Sequence, residues 1–131
     1  MKKSGRKVLS VILTAVMVFI LLPIISFPMR AKAETNTTSD GLFDYMVDDN
    51  NRVDIKKYKG TNPDVVIPKE IEGMPVCFID NQAFNNSKDF LNTIVFEGDV
   101  EIIEDSAFAE CIFLQSVEFK GNVKNIGEMA F

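Results

Sequence analysis

Few side chains in this sequence could do chemistry. There are two cysteines, Cys77 and Cys111, and no histidine. Without histidine there is no imidazole for general acid–base work, for Ser-His-Asp or Cys-His nucleophiles, or for metal ligation. Two thiols cannot build a four-thiolate zinc site or a multiply bridged small scaffold. Carboxylates are plentiful, and neighbours such as Glu104-Asp105 follow from composition alone. A catalytic pair needs a shared cleft and pKa values driven apart, which no spacing here provides. Asp48-Asp49-Asn50-Asn51 could touch calcium loosely, but it lacks the spaced Asp-x-Asp-x-Asp-Gly ligands and the distal glutamate. It reads as a turn. No glycine-rich phosphate loop, Gly-x-Ser-x-Gly elbow or Cys-x-x-Cys pair occurs. These residues predict a chain with no catalysis, no metal and no cofactor.

The elements that carry these residues fall into two unlike parts. Lys2, Lys3, Arg6 and Lys7 open the chain, and 16 of the 20 residues from Val8 to Phe27 are apolar. Pro23 and Pro28 interrupt the run, and Ala31-Lys32-Ala33 follows. A basic start, an apolar middle and an Ala-x-Ala ending predict a helical signal peptide over residues 1–33, cleaved after Ala33. An uncleaved anchor is the competing reading, since the run could span a bilayer. The remaining 98 residues carry 8 Lys+Arg against 19 Asp+Glu, a net charge of −11. That balance disfavours nucleic acid and anionic lipid. A membrane would be met only through the leader during export. Residues 34–41 are small and polar and read as a flexible linker. Asn36-Thr37-Thr38 and Asn85-Asn86-Ser87 match the common N-glycosylation pattern.

The second half repeats. Ile79-Asp80-Asn81-Gln82-Ala83-Phe84 returns at Ile103–Phe108 and at Ile126–Phe131, with spacings of 24 and 23 residues. Leu91, Ile94 and Phe96 match Leu114, Val117 and Phe119. Gly98 matches Gly121, and Val100 matches Val123. In Leu-x-x-Ile-x-Phe the last two apolar residues share one face of a strand. Gly98-Asp99 and Gly121-Asn122 suit turns. Val-x-x-Ile returns the chain to the core. A period of this length lies in the range of leucine-rich repeats, whose coils bury their apolar faces only by stacking.

The same residues resemble the BspA-like leucine-rich repeat proteins, mostly bacterial surface and secreted proteins. Ile126-Gly127-Glu128-Met129-Ala130-Phe131 and Ala107-Phe108-Ala109-Glu110-Cys111-Ile112-Phe113-Leu114 fit the family unit, as does the approach through Val66-Ile67-Pro68 and Glu72-Gly73-Met74-Pro75-Val76. Asp80 and Glu104 depart from the family glycine, and Ser87 stands near a missing cysteine. The resemblance implies a β-rich leucine-rich repeat solenoid, a right-handed coil of short strands and turns. Its core residues would be Ile79, Phe84, Leu91, Ile94, Phe96, Ile103, Phe108, Cys111, Leu114, Val117, Phe119, Ile126 and Phe131. Repeats would occupy residues 76–131, with residues 42–75 as capping hairpin and lead-in strand. Phe43, Tyr45 and Val47 alternate, as do Val53 and Ile55, around the Asp48–Asn51 turn. The last unit stops after its Ala-Phe pair, so the chain is expected to be a truncated product or a fragment of a longer parent.

Repeat register also bears on the cysteines. Cys77 aligns with Glu101 and Lys124, polar positions that face outward, whereas the resemblance implies that Cys111 takes the family's inward cysteine position. Opposed side chains do not bridge, so a disulfide is disfavoured. The outward residues Asn92, Thr93, Val95, Gln115, Ser116 and Glu118 form the candidate binding face. The resemblance implies a secreted or cell-surface protein that binds a protein, as in host adhesion, or a glycan. The alternatives are the N-terminal repeat module of a larger secreted enzyme and a truncated, non-functional fragment.

Overall fold

The computed structural model describes residues 34–131, so the expected leader lies outside the described residues. Ten strands appear in chain order: β1 (Asn36–Thr37), β2 (Phe43–Val47), β3 (Val53–Tyr58), β4 (Asp64–Ile67), β5 (Glu70–Ile71), β6 (Met74–Ile79), β7 (Thr93–Phe96), β8 (Val100–Ile103), β9 (Ser116–Phe119) and β10 (Val123–Ile126). A single turn of 3-10 helix spans Asn85–Ser87. Among the described residues no helix is long and apolar enough to cross a membrane.

The strands build two sheets wound as a solenoid. The larger runs β1-β2-β3-β6-β8-β10, with β5 folded back on β6, and the smaller runs β4-β7-β9. From β3 onward the large sheet is parallel, as is all of the small one. Among the described residues the antiparallel pairs are β1–β2, β2–β3 and β5–β6. Each coil thus passes once through each sheet, and the chain advances by one strand spacing per coil.

Repeat chemistry explains the pitch. In Val-x-x-Ile both end residues point inward: Val76, Ile79, Val100 and Ile103 are buried. The Ala-Phe pair makes the corner that follows. Ala83, Ala107 and Ala130 are buried, and the N–H of each aromatic residue bonds the alanine carbonyl of the next coil. Phe84 donates to Ala107 at 3.1 Å and Phe108 to Ala130 at 2.7 Å. The rings stack in register: Phe84 on Phe108 at 4.5 Å and Phe108 on Phe131 at 5.0 Å. Phe96 and Phe119 form a second stack at 4.8 Å. Offset stacking adds to burial itself.

One coil is hidden in the segment expected as cap and lead-in. Tyr58 takes the place of the signature phenylalanine, since its N–H donates to the Ala83 carbonyl at 2.9 Å and its ring stacks on Phe84 at 5.4 Å. β3 is accordingly the first parallel strand, and β4 is the first strand of the small sheet. β2 lies antiparallel on the outer side of β3, with the Phe43 ring tilted against Tyr58 at 5.3 Å between centroids. The aromatic column therefore has five members.

Burial follows position in the stack. Ile79, Phe84, Leu91, Ile94, Phe96, Ile103 and Phe108 are fully enclosed. Cys111, Leu114, Val117 and Phe119 are only half-buried, and Ile126 and Phe131 are 52% and 48% exposed rather than core. These six belong to the last described coil, which packs on the preceding coil from one side.

Candidate interaction face

Outward side chains of the small sheet align in rows across strands. Asp64, Thr93 and Ser116 share one row, and Val66, Val95 and Glu118 the next. Before them, Gln115 N–H bonds the Asn92 carbonyl at 2.8 Å, and Asn92 N–H bonds that of Pro63 at 2.7 Å. Of the six residues expected to form the binding face, Thr93, Val95, Ser116 and Glu118 fall in these rows, and Asn92 and Gln115 lie side by side just before them. Asn92, Thr93 and Val95 are half-buried, because β7 is flanked on both sides, while Gln115, Ser116 and Glu118 on β9 are exposed. Asp64 and Val66 extend the face and belong to the coil that repeat matching did not register. Their signal was the alternation in Asp64-Val65-Val66-Ile67, where Val65 and Ile67 are buried and the other two are exposed. Asp64 Oδ1 accepts from Thr93 Oγ1 at 2.7 Å and from Asn92 Nδ2 at 3.3 Å. These bonds hold the polar end of the face in one arrangement.

The large sheet presents a different surface, crossed by ion pairs. Arg52 bonds Asp48 through Nε and Nη2 at 2.8 and 2.7 Å, and Glu101 through Nη1 at 3.0 Å. Its guanidinium lies 4.7 Å over the Phe78 ring. Reaching from the start of β3 to β8, it passes over β6, the strand that carries Cys77. Cys77 lines a groove with Glu101 and Lys124 as the register requires, yet is only 7% exposed. It is covered rather than solvent-facing, and burial raises its thiol pKa. Cys111 donates weakly to the Phe84 carbonyl at 3.9 Å, and both thiols are free.

The groove holding Cys77 has a volume of about 620 Å³ and lies where the chain passes from the small sheet to the large one. Gly98 and Gly121 stack there so closely that a Cβ on Gly121 would sit 2.5 Å from Gly98 main-chain atoms. Lys120 faces Glu97 at 3.7 Å, and Lys124 faces Glu101 at 3.2 Å. The acidic run at Asp48–Asn51 is a turn. Asp48 Oδ1 accepts the N–H groups of Asn50 and Arg52, both at 2.9 Å, and Asn51 takes φ 56°. No group of three or more potential metal ligands converges among the described residues.

Comparison with known families decides what kind of solenoid this is. The family model described as BspA type leucine-rich repeat region (6 copies) matches residues 65–131. The chain belongs to this family. The match begins inside β4 and covers every later strand. Searches of curated proteins and of solved structures gave no match. A BspA-type solenoid is a repeat binding module, and its fold is that of a protein-interaction unit.

Proposed function

We propose that this BspA-type chain is an exported protein, secreted or held at the cell surface, that binds another protein through the outer face of the small sheet and performs no catalysis. The observation that carries this reading is the alignment of Asp64, Thr93 and Ser116 and of Val66, Val95 and Glu118 in two outward rows, with Asn92 and Gln115 beside them. The face is flat and mixed in polarity, with an aliphatic pair, Val66 and Val95, beside hydrogen-bonding groups, a composition suited to protein contact. A protein is favoured over a glycan because the outward rows hold no aromatic ring on which a sugar could stack. Residues 1–33 act as the export leader, on the strength of their basic start, apolar run and Ala-x-Ala ending. β2 and the segment before it act as the lid that the first coil of a solenoid needs.

Capture of extracellular proteins by the full chain, with crosslinking, tests the reading. A protein should be retained, and should be lost with Thr93→Arg or Glu118→Arg but kept with Lys57→Glu on the opposite sheet. Retention indifferent to both face substitutions, or retention of polysaccharide alone, rejects it.

A further inference from the structure

β4 has a single neighbour in its sheet, β7, so its other edge is open. The Pro63 carbonyl accepts the Thr93 N–H at 3.1 Å, and the Ile67 carbonyl accepts the Glu97 N–H at 3.0 Å. In a parallel pair alternate residues direct their main chain to the same neighbour. Pro63, Val65 and Ile67 therefore serve β7, while Asp64 and Val66 face the open side. Asp64 N–H is occupied locally by Asn62 Oδ1 at 3.0 Å. The N–H and C=O of Val66 remain at the edge, in a residue 51% exposed.

Two adjoining hollows of about 340 and 410 Å³ flank that edge, and Leu42, Phe43 and Val66 line both. Asp40, Glu70 and Glu72 line the first and Asp64 the second, with no lysine or arginine in either. The Thr38 hydroxyl and the Leu42 amide hold the Asp40 carboxyl below its usual range, so it stays ionised. The site thus combines an open strand edge, an apolar floor and a one-signed rim.

We propose that this edge binds an extended peptide segment of a partner protein, alternating basic and apolar residues, which adds to the small sheet beside β4. Main-chain bonds to Val66 would supply affinity, as in other strand-addition complexes. Every second side chain would fall on Leu42 and Val66, and the intervening lysines or arginines would meet the acidic rim of Asp40, Glu70 and Glu72. Pro63 and Pro68 bracket β4, so the edge admits only a short segment. This edge borders the flat sheet face and shares Asp64 and Val66 with it, but its main-chain bonding does not involve Thr93, Ser116 or Glu118.

The test is titration of the full chain with a capped hexapeptide, Lys-Val-Lys-Val-Lys-Val, read by calorimetry and by amide exchange. Binding should saturate and slow exchange at the Val66 N–H. Val66→Pro removes that N–H at an edge position where proline is tolerated, and should weaken binding about tenfold or more. Val66→Ala keeps the N–H and should keep binding. Glu70→Lys should weaken binding and reduce its salt dependence, whereas Glu118→Arg should leave it unchanged. Equal binding by Val66→Pro, equal binding of Glu-Val-Glu-Val-Glu-Val, or no binding at millimolar peptide overturns the proposal. So does a chain that dimerises through this edge, seen as a doubled mass abolished by Val66→Pro.

Discussion

Arg52 crosses β6, the strand of Cys77, and holds three partners at once, namely Asp48, Glu101 and the Phe78 ring. Arg52→Ala is expected to speed labelling of Cys77 by a thiol reagent, with Cys111 labelling unchanged, as read by mass spectrometry of the tagged peptides. The aromatic column sets a second scale of residue effects. Phe84 is fully buried between Tyr58 and Phe108, so Phe84→Ala should cost about 3–5 kcal/mol in urea unfolding. Phe131, half exposed on one ring, should cost far less. Two aspartates should move acid stability in opposite directions. Arg52, with the amides of Arg52 and Asn50, holds the Asp48 carboxyl below its usual range. Its stabilisation is present above the unfolded value of about 3.9 and is lost as pH falls through the folded value. Burial pushes the Asp54 carboxyl up, and the ion pair with Lys56 at 2.6 Å offsets only part of that. Asp54 therefore returns stability as pH falls from its raised value towards about 3.9. Urea midpoints against pH should show Asp48→Asn flattening the loss below about pH 4 and Asp54→Asn steepening it above.

At the level of the element, the repeat was legible where each coil keeps its full signature. Val-x-x-Ile, Gly and Ala-Phe located β6 to β10 and their inward residues because stacking demands like side chains at like positions. The coil from β3 to β4 was not legible for two physical reasons. Tyr58 replaces phenylalanine, and Val53-Asp54-Ile55 has one residue between its inward pair where later coils have two. The sheet absorbs the difference as a register shift between Val53 and Asp54. The outward positions of β7 and β9 were readable from the repeat, but those of β4 were not, because β4 lies in that coil. The Arg52–Glu101 bridge across β6 was hidden as well, since it joins residues 49 positions apart. A regularity of the corners emerges only from the backbone: Gln82, Ser106 and Met129, each just before Ala-Phe, all take φ between 51° and 58°. A β-branched residue is poorly tolerated there, so Ser106→Val should lower stability by about 1–3 kcal/mol in urea unfolding. Gly121→Ala, pressed against Gly98, should cost a comparable amount by overpacking, about 1–3 kcal/mol.

Across the whole molecule, order should decline from the middle of the stack to its ends. β6, β7 and β8 have parallel neighbours on both sides, whereas β9 and β10 have one. Amide exchange should be slowest in β6 to β8 and fastest in β1 and β10; uniform protection would instead mark a single cooperative unit. The five-membered aromatic column bears on how such behaviour can be seen at all. The chain has no tryptophan, and its two tyrosines, Tyr45 and Tyr58, are both buried at the β2–β3 end. The rest of the column is phenylalanine, which emits weakly. Intrinsic fluorescence is therefore a spectroscopic label fixed by nature to one end of the solenoid. A coil that frays at β9 and β10 would change the far-ultraviolet circular dichroism and leave the tyrosine emission as it was.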